Sequence, residues 1–161
     1  MKILGIDPGY SIMGFGVVEE HQQGFKLLKA GVIETSNQTD FNEKILSIPS
    51  LMSSIIEEYR PDLACVEEVF FNKNVKTAMK VAQIIGIVKI EILKRGIKLI
   101  TMTPLEVKKY ITGTRGKHPK MQIQNLVKMI LNLNEIPKPD DCADAIAIAI
   151  AGALKSNQLK L

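Results

Sequence analysis

Residues 3–9 read ILGIDPG, a short apolar run that ends in an acidic residue, a proline and a glycine. An apolar run of this length, bounded by turn-forming residues, is typical of a buried β-strand. Asp7 therefore stands at the end of a strand, and residues 8–16 form a turn rich in glycine. Residues 16–20 then read GVVEE, and we predict that they form a second strand paired antiparallel with the first through a hairpin.

The remaining hydrophobic pattern predicts three more strands and five helices. The strands fall at residues 25–35, 63–66 and 97–102, and the helices at 41–59, 75–95, 104–111, 120–133 and 140–154. Pro49 lies inside the first of these helices and indicates a kink or a later start. This order of elements predicts an α/β domain, with a mixed five-stranded sheet and helices on both faces.

The length and composition predict one domain that spans residues 1–161. A chain of 161 residues, 46% of them hydrophobic, can fill one buried core. Its net charge of +4 is unevenly distributed: residues 1–71 contain 5 Lys and Arg against 11 Asp and Glu, whereas residues 72–161 contain 16 against 6. A basic half joined to an acidic half favours a polyanion such as nucleic acid as the partner. Lysines that only solvate helix surfaces are an equal alternative on composition alone.

Several broad classes of protein are excluded by what the sequence lacks. No apolar run approaches the roughly 18 residues of a membrane span, and the first apolar stretch breaks at Asp7 without a cleavage site for a signal peptide. We therefore expect a cytoplasmic protein with no membrane partner. Cys65 and Cys142 lie in no CxxC or Cys/His grouping, so we expect buried thiols rather than a disulfide or a zinc site. Walker and dinucleotide-binding motifs are also missing.

Four acidic residues stand where strands end or a helix begins: Asp7, Glu67, Asp141 and Asp144. The first two end strands that we expect to be neighbours, and the other two are three residues apart on one helical face. Individually, a turn, a solvated strand end or a helix cap would explain each of them. Asp144, however, lies in an Ala- and Ile-rich stretch where an unpaired charge is costly. Together they predict a Mg²⁺ site for phosphate chemistry, because Mg²⁺ prefers carboxylate oxygens and two ions can act on one phosphodiester.

Two acidic neighbours compete with these assignments. Asp140 either replaces Asp141 as a ligand or caps the helix, and the spacing from Asp144 favours Asp141. Glu67 and Glu68 point to opposite faces of an extended strand, and the sequence alone does not say which face carries the site.

A basic loop follows the third predicted helix and leads into the next one. It contains Arg115, Lys117 and His118, with Lys120 at the helix start, and Lys108 lies on the preceding helix. Cationic side chains and the backbone N–H groups of a helix start can hold a phosphate. A surface loop without such a role is equally compatible with this composition. His118 is interpreted as a polar contact rather than as a general base.

Phe70 and Phe71 lie just beyond the predicted acidic strand end. Only 5% of the chain is aromatic, and two adjacent Phe side chains cannot both face the core if the segment is extended. One of them can therefore stack on a nucleic-acid base. Burial of both in the core is the competing explanation.

These motifs occur in an order and at a spacing that resemble the RuvC family of bacterial Holliday-junction resolvases. The resemblance covers nearly the whole chain, and the combination is far more specific than the first motif, which also occurs in actin-like ATPases. The matching segments are ILGIDPG at 3–9 with Gly14, Gly16 and Val17; VEEVF at 66–70 with Lys73 and Asn74; Gln83 and Gly86; Val107 and Lys108; Lys120, Gln122 and Gln124; and DCADAIAIA at 141–149. Residues 114–119 depart from the family pattern.

The resemblance implies a ribonuclease H-like fold and a homodimer that makes paired, symmetric, Mg²⁺-dependent cuts in four-way DNA junctions during recombination and repair. It implies two Mg²⁺ ions per site, with Mn²⁺ as a substitute, and the RuvA/RuvB branch-migration complex as a partner. By motif match, the catalytic and metal-binding carboxylates are Asp7, Glu67, Asp141 and Asp144. The match also assigns Lys108 and Lys120 to the phosphate and Phe70 to the junction bases. Arg115 and Lys117 remain candidates for DNA binding on their charge, since the resemblance gives them no role.

Two other functions are compatible with parts of the sequence. An actin-like phosphotransferase would use the glycines after Asp7 to hold ATP, but it needs two such domains, more than 161 residues provide. A non-catalytic junction-binding module would retain the fold with a decayed site, but all four carboxylates are present.

The helix predicted at residues 75–95 is apolar around most of its circumference. A helix of this kind is covered on more than one side, which predicts a dimer interface. Burial by neighbouring helices is the alternative.

Overall fold

The computed structural model describes residues 1–34, 40–68 and 75–159. In these ranges the chain forms five strands and five helices. The strands are β1 (Lys2–Asp7), β2 (Ile12–His21), β3 (Gly24–Glu34), β4 (Leu63–Glu67) and β5 (Lys98–Met102), and the helices are α1 (Phe41–Tyr59), α2 (Val75–Leu93), α3 (Pro104–Thr112), α4 (Lys120–Ile130) and α5 (Asp140–Leu159).

The five strands form one mixed sheet in the order β3-β2-β1-β4-β5. β1 pairs antiparallel with β2 and β2 with β3, whereas β1, β4 and β5 run parallel. The expected adjacency of the strands that end at Asp7 and Glu67 is thus confirmed, and both residues lie at the same edge of the sheet. The apolar runs at residues 3–6 and 63–66 form these central strands because they can be buried on both faces.

Alternation along the central strands divides the core into two layers. Ile3, Leu63 and Cys65 pack on the face covered by α3, α4 and α5. Leu4, Ile6, Ala64 and Val66 pack on the opposite face against α1 and α2. The predicted α/β class, with helices on both faces of a five-stranded sheet, is therefore confirmed.

Helix α5 lies between the sheet and helices α3 and α4, and its residues from Cys142 to Ala153 are buried apart from Asp144. It approaches the sheet closely where the strands carry glycine. A Cβ atom on Gly5 would overlap the backbone of Ala145 and Ala149, and one on Gly16 would lie 2.8 Å from the Ile146 side chain. The alternating Ala and Ile residues therefore form a central helix, as predicted, because small side chains on both partners permit this packing.

The structure differs from the predicted elements mainly at their ends. Gly14 and Gly16 were expected in the turn after Asp7, but they lie inside β2, which already begins at Ile12. Glycine is retained there because α5 leaves no space for side chains, rather than because the chain turns. Pro49 lies within α1 without ending it. In the described part of the chain, no helix has both the length and the apolar character needed to cross a bilayer.

Candidate active site

Asp7 and Glu67 project from the same face of the sheet at adjacent strand ends. β1 and β4 pair in register through Ile6 and Val66, the residues immediately before the two carboxylates. Period-2 alternation then places Asp7 on the side of Gly5 and Glu67 on the side of Cys65, which is the face that carries α5. Glu67, rather than Glu68, therefore shares the face of Asp7 and lines the same cavity. The backbone N–H of Glu68 donates to the carbonyl of Met102 at 2.8 Å, so the chain remains paired with β5 beyond the strand end.

The first turns of α5 bring two more carboxylates to this edge. Gly14 lies opposite Asp7 in the β1–β2 ladder, and a Cβ on Gly14 would collide with the backbone of Asp141. The missing side chain therefore allows the start of α5 to lie directly on β2, beside Asp7. Asp144 follows one turn later on the same helical face. Asp140 and Asp141 are also favoured electrostatically, because acidic groups stabilise a helix N-terminus.

Three carboxylates and two lysines line one cavity of about 180 Å³ at this edge. The charged residues are Asp7, Glu67, Asp144, Lys108 and Lys120, and the apolar walls come from Pro104, Val107, Ile123 and Ala147. Asp141 lies beside this cavity, close enough for its charge to raise the pKa of Asp7. These apolar walls, which belong to helices α3, α4 and α5, were not predicted from the sequence.

The carboxylates in this cavity hold their protons unusually tightly. Burial, followed by the charges of Asp144 and Asp141, raises the pKa of Asp7 to about 6 from its ordinary 3.8. Burial, followed by the charges of Asp7 and Asp144, raises the pKa of Glu67 to about 7 from 4.5. Burial also raises the pKa of Asp144, although Lys120 opposes the shift. A cation in the cavity would relieve the repulsion among these groups.

Lys120 is the cation that lies closest to Asp144. Its Nζ is 2.8 Å from Asp144 Oδ2 and 3.5 Å from Asp140 Oδ2, and the hydrogen bond to Asp144 raises the pKa of the lysine. The charge of Lys108 offsets part of the rise in the pKa of Glu67. Both lysines that the resemblance assigns to the phosphate are thus in the carboxylate cavity. Asp140 lies at its exposed margin, where it shares the ammonium of Lys120.

The turn after Asp7 is held by aromatic and cationic side chains that the sequence did not identify. Lys44 is only 1% exposed, and its Nζ lies 4.2 Å from the centroid of the Tyr10 ring. Lys80 lies 5.2 Å from the same ring, and Phe41 stacks on it at a centroid distance of 6.1 Å. Cation–π contacts of this kind stabilise a lysine away from water, so helices α1 and α2 both support the turn that carries Asp7.

Arg115 and Lys117 do not reach the carboxylate cavity. Together with Lys109 they line a second cavity of about 560 Å³ on another side of α3. His118 makes polar contacts, as predicted: Nε2 lies 3.2 Å from Thr112 Oγ1, and Nδ1 lies 3.3 Å from Gln122 Oε1. Sequence reasoning missed Lys109 as a member of this basic group. Consecutive residues on a helix point about 100° apart, so the position next to Lys108 could have indicated that Lys109 faces away from the carboxylate cavity.

Two sequence predictions, base stacking by Phe70 and the Mg²⁺ ions, stay predictions. Phe70 and its stacking role lie outside the described residues. In the described ranges, no three Asp, Glu, His or Cys side chains are close enough to hold a metal ion by themselves. The donor set nevertheless suits Mg²⁺, which is held by a few carboxylate oxygens while water and substrate phosphate complete its coordination.

Comparisons with known proteins agree with this architecture. The family model for the crossover junction endodeoxyribonuclease RuvC matches residues 3–152. The crossover junction endodeoxyribonuclease RuvC of Caldicellulosiruptor saccharolyticus is 41% identical over 160 residues, which cover 99% of this chain and 96% of the relative.

Solved structures show the same relationship. Thermus thermophilus RuvC in complex with a Holliday junction substrate superposes with a TM-score of 0.88 at 30% identity, covering 98% of this chain and 96% of that one. The yeast mitochondrial Holliday junction resolvase Ydc2 shares the fold, with a TM-score of 0.73 at 16% identity over 98% of this chain and 80% of its own. The match of sequence and fold leads to one assignment: this chain belongs to the RuvC family of crossover junction endodeoxyribonucleases.

Proposed function

We propose that this protein resolves four-way (Holliday) DNA junctions by paired, symmetric, metal-dependent hydrolysis of phosphodiester bonds, in homologous recombination and DNA repair. The observation that carries the proposal is the cavity in which Asp7, Glu67 and Asp144 face Lys108 and Lys120. Family membership supplies the substrate, because a relative with the same fold was solved in complex with a Holliday junction. We further propose that residues 1–161 act as one nuclease domain in the cytoplasm.

The ligands proposed for the metal are the carboxylates of Asp7, Glu67, Asp141 and Asp144. Burial, and then the repulsion among these carboxylates, raises the pKa values of Asp7 and Glu67. This supports the assignment, because such a site favours a compensating positive charge. Four carboxylates suffice for two Mg²⁺ ions, and Mn²⁺ has the same preference for oxygen and is a plausible substitute. Bound ions would supply activation of the attacking water and stabilisation of the leaving oxygen.

The side chains of the cavity have separate roles in the proposed reaction. Lys108 and Lys120 orient the scissile phosphate and offset its charge, because their ammonium groups can donate to its oxygens. Lys120 already contacts Asp144 and Asp140, and an entering phosphate would offer its ammonium group a further acceptor. Val107, Ile123 and Ala147 form an apolar wall, and reduced access of bulk water strengthens the electrostatic contacts within the cavity.

We assign further DNA contacts to Phe70, Arg115 and Lys117. Phe70 follows the active-site strand by three residues and suits stacking on an unpaired junction base. Arg115 and Lys117 are exposed and suit the phosphate backbone, which dominates the affinity of proteins for DNA.

Symmetric cutting requires two sites, and helix α2 offers a surface for a homodimer. Met79, Ile90 and Leu93 are 59%, 51% and 57% exposed, although they belong to a helix whose other face is buried in the core. Gly86 lies between them and has no neighbour within 4 Å of a Cβ position, which allows close approach of a second helix. We propose that two copies pair through this apolar stripe, with the RuvA/RuvB complex as a further partner.

Incision of a labelled four-way junction, beside linear duplex of the same sequence, tests the function directly. We expect symmetric nicks in the junction with Mg²⁺ and none with EDTA. Asp7→Asn should abolish nicking and retain junction binding in a gel-shift assay, because it removes a ligand without changing the basic surface. Asp40→Asn is the matched control, since Asp40 is exposed and its side chain makes no capping hydrogen bond. Unchanged nicking by Asp7→Asn, or equal nicking of linear duplex, would contradict the proposal.

A further inference from the structure

Helix α3 separates two cavities that differ in chemistry. Pro104, Val107 and Lys108, at helical spacing, face the carboxylate cavity. Leu105, Glu106 and Lys109 face the second cavity, whose other wall is formed by Arg115, Gly116 and Lys117. The carboxylate cavity, where we propose that DNA binds, thus lies on one side of α3, and a second concave surface lies on another side of the same helix.

The second cavity carries an excess of positive charge. Among the described residues, none of the three cations Lys109, Arg115 and Lys117 has a carboxylate within 4.0 Å. The carboxylate of Glu106 is already engaged, because Lys155 Nζ lies 2.7 Å from it and the backbone N–H of Thr103 donates to it at 2.9 Å. Lys155 accordingly lowers the pKa of Glu106. The lining can therefore attract an anion without competition from a free carboxylate.

The loop that carries Arg115 and Lys117 is held in shape at both ends. Gly113 ends α3 with φ +73°, a left-handed conformation suited to glycine. His118 then connects the two helices, since its ring contacts Thr112 on α3 and Gln122 on α4. The cations are thus presented around a defined space of about 560 Å³.

We propose that this second cavity binds a backbone phosphate of the DNA strand that is cut in the carboxylate cavity, an inference that rests on the proposed junction-cleaving function. Its volume accommodates a phosphate together with its sugar, and Leu105, which is 72% exposed, provides an apolar contact for that sugar. A helix with its side chains is about 10–12 Å across, and a DNA strand advances about 3.4 Å per nucleotide. The bound phosphate therefore lies roughly two to four nucleotides from the cut.

Single neutral methylphosphonates, placed at successive positions around the cut, test this site. Binding to each junction is measured by fluorescence anisotropy in EDTA, which prevents cutting. Wild-type protein should lose affinity about three- to tenfold at a position two to four nucleotides from the cut, the effect of one charge-assisted contact. The triple variant Lys109→Gln/Arg115→Gln/Lys117→Gln should be insensitive at that position and remain sensitive elsewhere.

A second triple variant with the same loss of charge is the control. Lys26, Lys29 and Lys98 are exposed and lie on strands β3 and β5, so Lys26→Gln/Lys29→Gln/Lys98→Gln should give the wild-type profile. The slope of log Kd against log salt concentration should fall by about 1, the value for one phosphate contact, only in the first variant. If the triple variant folds poorly, the single variant Arg115→Gln replaces it, because this position is exposed. It should reduce the loss of affinity caused by the same methylphosphonate.

The outcomes separate this inference from the proposed function. Identical methylphosphonate profiles for wild type and the first triple variant would overturn the second phosphate site while wild-type nicking continued. Failure of wild type to prefer the junction over linear duplex would instead overturn the proposed function.

Discussion

Replacing Glu67 with glutamine should stabilise the metal-free protein at alkaline pH. Burial, together with the charges of Asp7 and Asp144, raises the pKa of Glu67 to about 7 from an ordinary value of 4.5. The folded chain therefore binds this proton more tightly than the unfolded chain does. The associated stability is fully present below about pH 4.5 and is lost as the pH rises through about 7. Glutamine carries no charge at any pH, so the variant avoids that loss.

The size of the effect follows from the two pKa values. They differ by roughly 2.5, and each pKa unit corresponds to about 1.4 kcal/mol, so the predicted gain at pH 8 to 9 is about 3 kcal/mol. Part of the rise in the pKa of Glu67 comes from the charge of Asp7, whose own pKa is also raised, to about 6. The double variant Asp7→Asn/Glu67→Gln should therefore gain less than the sum of the single variants.

Urea unfolding in EDTA across the range from pH 4 to pH 9 measures this effect. Wild type and Glu67→Gln should have similar free energies of unfolding at pH 4, diverge as the pH rises above about 4.5, and reach their full difference above about pH 7, with the variant more stable. Glu68→Gln is the matched control, because it makes the same change at the next residue, on the opposite face of the strand. A difference between wild type and Glu67→Gln that is independent of pH, or a less stable variant at pH 8, would refute the reasoning.

Two further predictions concern packing and assembly. Gly5→Ala should lower the free energy of unfolding, measured by urea titration, by about 1–3 kcal/mol or more, because the added Cβ overlaps the backbone of α5. Gly116→Ala is the control: its Cβ would make only an ordinary contact, so its free energy of unfolding should stay within about 0.5 kcal/mol of the wild-type value. Ile90→Glu/Leu93→Glu should convert a dimer to monomers in sedimentation velocity, since it places charges in the apolar stripe of α2, whereas Met129→Glu, at a 73% exposed position on α4, should leave the mass unchanged. A dimer that persisted in the α2 variant would exclude this helix as the interface.

The elements and strand-end carboxylates could be predicted because they depend on local sequence. Asp7 and Glu67 each end an apolar run, and that boundary marks a strand end wherever the strand lies in the sheet. The functions of Gly14 and Gly16 could not be predicted in the same way. Glycine residues after a strand predict a turn. In the structure, however, these glycines are explained by α5, which is distant in sequence and leaves no space for a Cβ at either position.

The contacts of two lysines were similarly hidden from the sequence. Lys44 belongs to an amphipathic pattern in which a lysine is expected at the surface, but its stem is covered and its ammonium group lies against Tyr10. Lys120 was predicted to bind phosphate, and its ion pair with Asp144 depends on how α4 packs against α5. In both cases the lysine contacts a residue of another part of the chain, so the periodicity within its own helix does not predict the contact.

The distance along the chain between Asp7 and helix α5 also affects the protein during its synthesis. A ribosome makes Asp7 and Glu67 long before it reaches Asp141 and Asp144, which lie in the first turns of α5. A nascent chain that ends before residue 140 holds only two of the four carboxylates and lacks the helix that packs over Gly5 and Gly14. Under the proposed function, a chain terminated before residue 140 therefore lacks two of the proposed metal ligands, Asp141 and Asp144.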